Sequence, residues 1–175
     1  MISAGPFSSS ATFARRAVLV LAGSALLYLS AKIALPAGPW GVPVTMQTLA
    51  IPVLVALLGR NLAVGATLAY LAEGFSGLPV FSSFGFLAPS LGYLVGFPIA
   101  AFIVGELYAR GFAATYVRRL AAILIGTAAV LVCGATWLGF GFTHSAVGAV
   151  TFGIAPFIVG ELLKSVLAAG LKPRT

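Results

Sequence analysis

Glu161 and Lys164 stand three residues apart in the apolar stretch PFIVGELLKS, which puts a carboxylate and an ammonium on one helix face within reach of each other. Placing either charge near the centre of a bilayer costs about 2.5–3.5 kcal/mol, so such residues mark functional sites by default. The plainer alternative is an ion pair that only tethers helices. What the pair offers chemically is recognition. A carboxylate accepts N–H donors and an ammonium donates to a carbonyl, so together they match a neutral ligand that carries both groups. Three acids, one histidine and one cysteine in the whole chain leave no nucleophile–base pair and no metal constellation, so neither an enzyme nor a metal site is expected. Lys164-Ser165 lacks the glycine spacing of a phosphate loop, and no nucleotide site follows.

Two connections carry the other candidate contacts. PAGPWGVPVT, residues 36–45, contains Pro36, Pro39 and Pro43 and runs into Met46 and Gln47. Proline removes N–H donors and stiffens the path, which suits an ordered lid. At a cavity mouth the Thr45 hydroxyl and the Gln47 amide can each bond a ligand; the alternative is a plain surface turn. GFSGLPVFSSFGFLAP, residues 74–89, mixes Phe75, Phe81, Phe84 and Phe86 with Ser82 and Ser83. Aromatic faces beside hydroxyls suit a compact, partly apolar ring, although an interfacial aromatic belt also accounts for several of the phenylalanines. Lys32 either snorkels to the headgroups or draws an anionic substrate to the mouth. His144 has no His or Cys near it in sequence and is assigned no role.

The elements that hold these residues must be membrane helices. Of 175 residues, 61% are hydrophobic and 7% charged, against about a quarter charged in a soluble domain. Spans of roughly 20 residues fit residues 17–35, 90–108, 120–142 and 146–171. Residues 46–58 and 62–72 are too short to cross alone and read as two short helices around the turn Gly59-Arg60-Asn61. The connections flanking them are therefore expected to dip inward, where protein or a wet cavity satisfies the backbone. The reading is an all-α polytopic membrane protein: a six-helix transmembrane bundle, one domain over residues 1–175, with a short tail over residues 1–14. An N-terminus inside places Arg15, Arg16, Arg60, Arg110, Arg118, Arg119, Lys172 and Arg174 on the cytoplasmic side with the C-terminus, and no basic residue in the outer connections. The net charge of +7 thus reports topology and not nucleic acid. Arg15-Arg16 and the following apolar run look superficially like a secretory signal, but the apolar runs recur throughout, as expected of a retained helix. FIVGEL occurs at residues 102–107 and 157–162; Glu106, near its helix end and four residues before Arg110, reads as a surface pair. Cys133, alone, is expected to pack as a small apolar residue.

GVPVTMQTLA (residues 41–50), YLAEGFSGLPVF (70–81), APSLGYLVGFPIAAFIVG (88–105) and PFIVGELLKS (156–165) together resemble the BioY family, the biotin-binding membrane subunits, or S components, of energy-coupling factor transporters. The resemblance implies a six-helix bundle in a prokaryotic inner membrane that captures biotin near the outer face, partly roofed by the first connection. It implies as partners a transmembrane coupling subunit and two ATPase subunits, with no cofactor in this chain. It also assigns residues. Thr45 and Gln47 belong to the first-loop signature, Ser90, Gly92 and Tyr93 stand where the family has glycine-proline-threonine-x-glycine-tyrosine, and Glu161 and Lys164 match the acid and lysine of the last helix. The family usually has aspartate where Glu161 stands, so the carboxylate here reaches one methylene farther. The stretch after GLPVF is compressed, leaving Ser82 and Ser83 as its polar candidates. Biotin's ureido ring, with two N–H groups and a carbonyl, complements Glu161 and Lys164, and its carboxylate is expected near Lys32 or loop N–H groups. Related S components dock through an alanine-x-x-x-alanine patch on helix one, for which this chain has Ala22, Gly23 and Ala25 without a strict match. The alternative function is a stand-alone biotin carrier or channel, which uptake into liposomes lacking any ATPase would favour.

Overall fold

The computed structural model describes residues 7–35, 40–82 and 87–173. Helix α1 (Phe7–Lys32) leads into β1 (Ala34–Leu35), which pairs antiparallel with β2 (Val44–Thr45). Then come α2 (Gln47–Leu58), α3 (Arg60–Phe75), α4 (Leu87–Leu107), α5 (Tyr116–Leu138), α6 (Ala146–Gly153) and α7 (Ile158–Ala169). At about 1.5 Å per residue, α2 and α3, of 12 and 16 residues, fall short of the ~30 Å hydrocarbon core. The four longer spans are apolar and long enough to cross it. The chain is thus a helical membrane protein with two short helices. Its first connection does turn inward: Val42 is buried, and Pro43 and Thr45 reach the central cavity.

Several boundaries differ from the sequence expectation. Helix α1 starts at Phe7, so the tail expected over residues 1–14 is helical for its latter part; residues 33–35 leave the helix for the β-ribbon. Helix α4 starts at Leu87, before Ser90, and α5 at Tyr116, before Leu120. Thr115 provides the reason for the latter, since its side chain accepts from the Arg118 N–H as an N-cap. The last apolar run is not one helix. A 3₁₀ turn (Ala155–Phe157) separates α6 from α7, because Pro156 has no N–H to donate and its ring clashes with the preceding turn. The Phe157 N–H turns to the Ile154 carbonyl, and the Gly153 carbonyl, which an unbroken helix would pair with it, accepts instead from the Tyr93 hydroxyl at 2.7 Å.

Helices α4 and α5 share the largest interface, and α4 also packs on α2 and α3. Their approach depends on missing side chains: a Cβ at Gly96 would lie 2.9 Å from the Val130 Cα, and one at Gly126 2.5 Å from a Val104 methyl. We expect Gly96→Ala to cost about 1–3 kcal/mol through overpacking, lowering the thermal unfolding midpoint by about 5 °C; a scan of the purified protein checks this.

The two ends of the bundle differ. At one, Arg16, Arg60 and Asn61 gather with Tyr108 and Ala113 around an open cleft, and the α2–α3 turn is made by Gly59 at φ +78°, a conformation open to glycine. Arg60 and Arg110 (2.8 Å) both bind Glu106 there, so the pair expected with Arg110 is a triad. Arg119, 5% exposed, donates to the Ala169 carbonyl (2.8 Å) and the Ala113 carbonyl (3.0 Å), a cation at the C-terminal end of α7 where the helix dipole favours it. The other end carries the two irregular connections and the mouth of the cavity.

Candidate functional site

The cavity lies among α2, α4, α5 and the break between α6 and α7, closed toward the mouth by the first connection and by residues 81–82. Of the eight residues singled out in sequence, Thr45, Gln47, Ser82, Ser90, Tyr93 and Glu161 line it. Lys164 sits behind Glu161, and Ser83 lies outside the described residues, as do Phe84 and Phe86.

Glu161 and Lys164 lie one turn apart on the buried face of α7, 5% and 6% exposed. The Lys164 ammonium donates to Glu161 Oε1, to the Thr48 hydroxyl at 2.6 Å and to the Thr45 carbonyl at 2.9 Å. Three N–H groups thus have three acceptors, and the lysine is saturated. Glu161 Oε1 also accepts from the Thr48 hydroxyl at 2.9 Å. Its other oxygen, Oε2, is buried and accepts from nothing among the described residues. An unmet acceptor of this kind costs about 1–3 kcal/mol or more for a charged group, so the site holds free energy that a ligand N–H can recover. All three N–H groups of the ammonium, expected to contact the ligand's carbonyl, are engaged within the protein here.

Gln47 supplies the complementary group. Thr45 donates its hydroxyl to Gln47 Oε1 at 3.1 Å and accepts from the Gln47 backbone N–H at 3.3 Å, which fixes the amide. Gln47 Nε2 is buried next to the Tyr70 hydroxyl but makes no hydrogen bond of full geometry with it or with any other described residue. Two residues that line the cavity thus each carry a buried polar atom short of a full hydrogen bond within the protein, an acceptor on Glu161 and a donor on Gln47. Tyr93 contributes its ring, 5.4 Å from that of Phe157, while its hydroxyl is held by Gly153. With Phe81 and Phe97 these give the walls four aromatic rings beside the aliphatic Val42, Leu94, Val130 and Leu131.

Sequence reasoning missed Thr48, which links the carboxylate to the ammonium. It lies inside the quoted GVPVTMQTLA motif, and Pro52 four residues on, unable to donate to the Thr48 carbonyl, was the available signal that this turn of α2 is special. Trp40, also missed, has a buried indole N–H without a partner among the described residues and packs on Phe142, ring centroids 6.1 Å apart. Lys32 is not at the cavity. It donates to the Pro79 and Phe81 carbonyls at 3.1 and 3.0 Å. Of Ala22, Gly23 and Ala25 on α1, Gly23 is buried against Ala66 while Ala22 and Ala25 face outward.

The cavity has a volume of about 60 Å³, room for a few waters and well below the ~300 Å³ of a small-molecule site. Binding a bicyclic ligand requires the mouth to widen. A larger groove of about 620 Å³ lies between α5 and α6, near His144, but no charged residue lines it. Size alone does not pick the site; the unmet polar atoms do.

Comparison with known proteins gives a consistent picture. The BioY family matches residues 4–175. The biotin transporter BioY of Thermotoga maritima is 32% identical over 158 residues, 86% of this chain and 90% of that protein. The probable biotin transporter BioY of Pyrococcus horikoshii is 33% identical over 168 residues, 92% of this chain and 96% of that one. Among solved structures, the S-component for biotin from an ECF-type ABC transporter superposes with a TM-score of 0.80 at 24% identity, covering 91% of this chain and 89% of its own.

Proposed function

The chain belongs to the BioY family, and on that premise we propose that it is the substrate-binding membrane subunit of a biotin importer. It takes biotin from the outer face of a prokaryotic inner membrane, with both termini in the cytoplasm, and works with a transmembrane coupling subunit and two ATPases. It makes no covalent change in the vitamin. The observation that carries the ligand assignment is that Glu161 and Gln47 both line the cavity, Glu161 with a buried Oε2 that accepts from no described residue and Gln47 with an Nε2 that has no full hydrogen bond. A cyclic urea has an N–H for the first and a carbonyl for the second, and biotin presents that urea fused to a sulfur ring that suits aromatic walls. Thr45, Thr48 and Lys164 set the two polar groups; Ser82 and Ser90, which border the cavity, meet the side-chain carboxylate in this reading, with Ser83 next to Ser82 in sequence. Names of the relatives, biotin transporters in both cases, support the reading. The orientation rests on the charge distribution, eight basic residues of one side's segments.

Equilibrium binding of labelled biotin to the purified chain, with no ATPase present, tests this. Saturable binding is expected, with competition by dethiobiotin, which keeps the urea, and none by lipoate, which keeps a sulfur ring and pentanoate but has no urea. Competition by lipoate and not dethiobiotin would reverse the ligand assignment.

A further inference from the structure

The segment of residues 76–82 has no helix or strand, yet it forms one wall of the cavity through Phe81 and Ser82. A wall without its own backbone ladder must be held from outside. Three contacts from two helices do this. From the end of α1, the Lys32 ammonium donates to the Pro79 and Phe81 carbonyls and lies over the Tyr28 ring, 4.9 Å from its centroid. From α3, the fully buried Tyr70 donates its hydroxyl to the Val80 carbonyl at 3.2 Å. The Phe81 ring rests on bare backbone: a Cβ at Gly74 would come within 2.1 Å of it, and the rings of Tyr70 and Phe75 meet it edge-on at 5.4 and 5.7 Å. The support is itself braced, since Ser24 on α1 donates to the Glu73 carboxylate at 2.5 Å. Ser24 and Lys32 are eight residues, about 12 Å, apart along α1, so α1 is stitched to the wall and to its α3 anchor at two heights.

We propose that Lys32 and Gly74 are positioning residues for the biotin site, which hold Phe81 and Ser82 against the ligand and thereby set how long it stays. This deepens the function proposed above and rests on it. The ammonium acts through two carbonyls on consecutive sides of Val80, and Gly74 acts by leaving the space the ring fills; neither touches the ligand. Because the closed cavity is smaller than a bicyclic molecule, these contacts must loosen for access and re-form over the ligand, so weakening them speeds departure. Tyr70 carries the same wall to the beginning of α2, where it lies beside the Gln47 amide.

The test pairs biotin dissociation rates with amide hydrogen exchange of residues 78–82 in the full chain. Lys32→Met keeps the stem and removes the donor, and is expected to raise the dissociation rate about tenfold and to speed exchange at residues 78–82 in the unliganded protein. Lys32→Arg, which can still donate to both carbonyls, should restore both readouts to within about threefold of the parent. Gly74→Ala, which leaves Lys32 untouched and displaces Phe81, should reproduce the fast dissociation. Faster exchange with an unchanged dissociation rate would overturn the proposal, as would faster dissociation with unchanged exchange, which would make Lys32 a direct ligand contact. Failure of the parent to bind biotin would instead sink the function reading, and the exchange arm would still decide whether Lys32 holds the wall.

Discussion

Replacing Lys164 with alanine is expected to reduce biotin affinity at least a hundredfold and to lower the thermal unfolding midpoint by about 10 °C. The ammonium saturates three acceptors, on Glu161, Thr48 and Thr45, so its loss frees all three at once. It also leaves the Glu161 carboxylate, 5% exposed, without a compensating charge. Breaking a buried pair by removing one partner costs about 3–5 kcal/mol, and for a chain of this size each kcal/mol moves the midpoint by about 2–4 °C. Affinity falls for a separate reason. With Lys164 gone, nothing but Thr48 holds Oε1, the carboxylate can turn, and Oε2 no longer faces a fixed point in the cavity. Lys164→Met, nearly equal in volume, should lose affinity to the same extent, which assigns the effect to the charge and not to a void. Binding and melting curves on both variants check the prediction.

Glu161→Gln should separate recognition from stability. The substitution keeps the shape and one oxygen for Lys164 and Thr48, but at the other position it replaces an acceptor with an amide NH₂. A ligand N–H then meets N–H, and a site built to bond a polar group discriminates strongly when the match is lost. We expect affinity to fall by about tenfold to a hundredfold, one to two steps of ~1.4 kcal/mol, with a midpoint change smaller than that of Lys164→Ala because Thr48 and Thr45 still satisfy the ammonium. Glu161→Asp keeps the charge and both oxygens with a reach one methylene shorter; it should retain measurable binding. Equal loss in the Gln and Asp variants would show that reach matters more than the acceptor.

The contrast between these two residues marks how far the sequence can be read. The i, i+3 spacing of Glu161 and Lys164 fixes their shared face, because helix geometry is local, and α7 places them so. The four long apolar spans were legible for a similar reason, because hydropathy is a sum over the chain. What spacing does not encode is who stands opposite. Thr48 lies 113 residues from Glu161, and a threonine in an apolar helix has no signature that distinguishes a ligand-site clamp from a filler. The engagement of all three Lys164 N–H groups within the protein, which spacing did not show, follows from Thr48 and the Thr45 carbonyl together with Glu161.

Other differences have the same root. The run over residues 146–171 is continuous by hydropathy, a measure blind to the missing N–H of Pro156, so the break between α6 and α7 was visible as a residue and not as a consequence. That break is what frees the Gly153 carbonyl for Tyr93. Lys32 read as a snorkelling or substrate-facing charge because its sequence neighbours are apolar; its acceptors, the Pro79 and Phe81 carbonyls, belong to backbone exposed only because residues 76–82 form no ladder. Glu73 sits inside a quoted motif, and its bond to Ser24 crosses 49 residues. Each case joins two segments, α4 with α6 or α1 with α3 and the stretch after it, that only packing brings together.

The most direct test of the account is a structure of the chain with biotin bound, at a resolution that orients the urea. The account predicts a ureido N–H within hydrogen-bond distance of Glu161 Oε2 and the ureido carbonyl toward Gln47 Nε2, with Lys164 still on Glu161, Thr48 and Thr45. Biotin seated elsewhere, with Oε2 still unbonded or satisfied by protein alone, would contradict it.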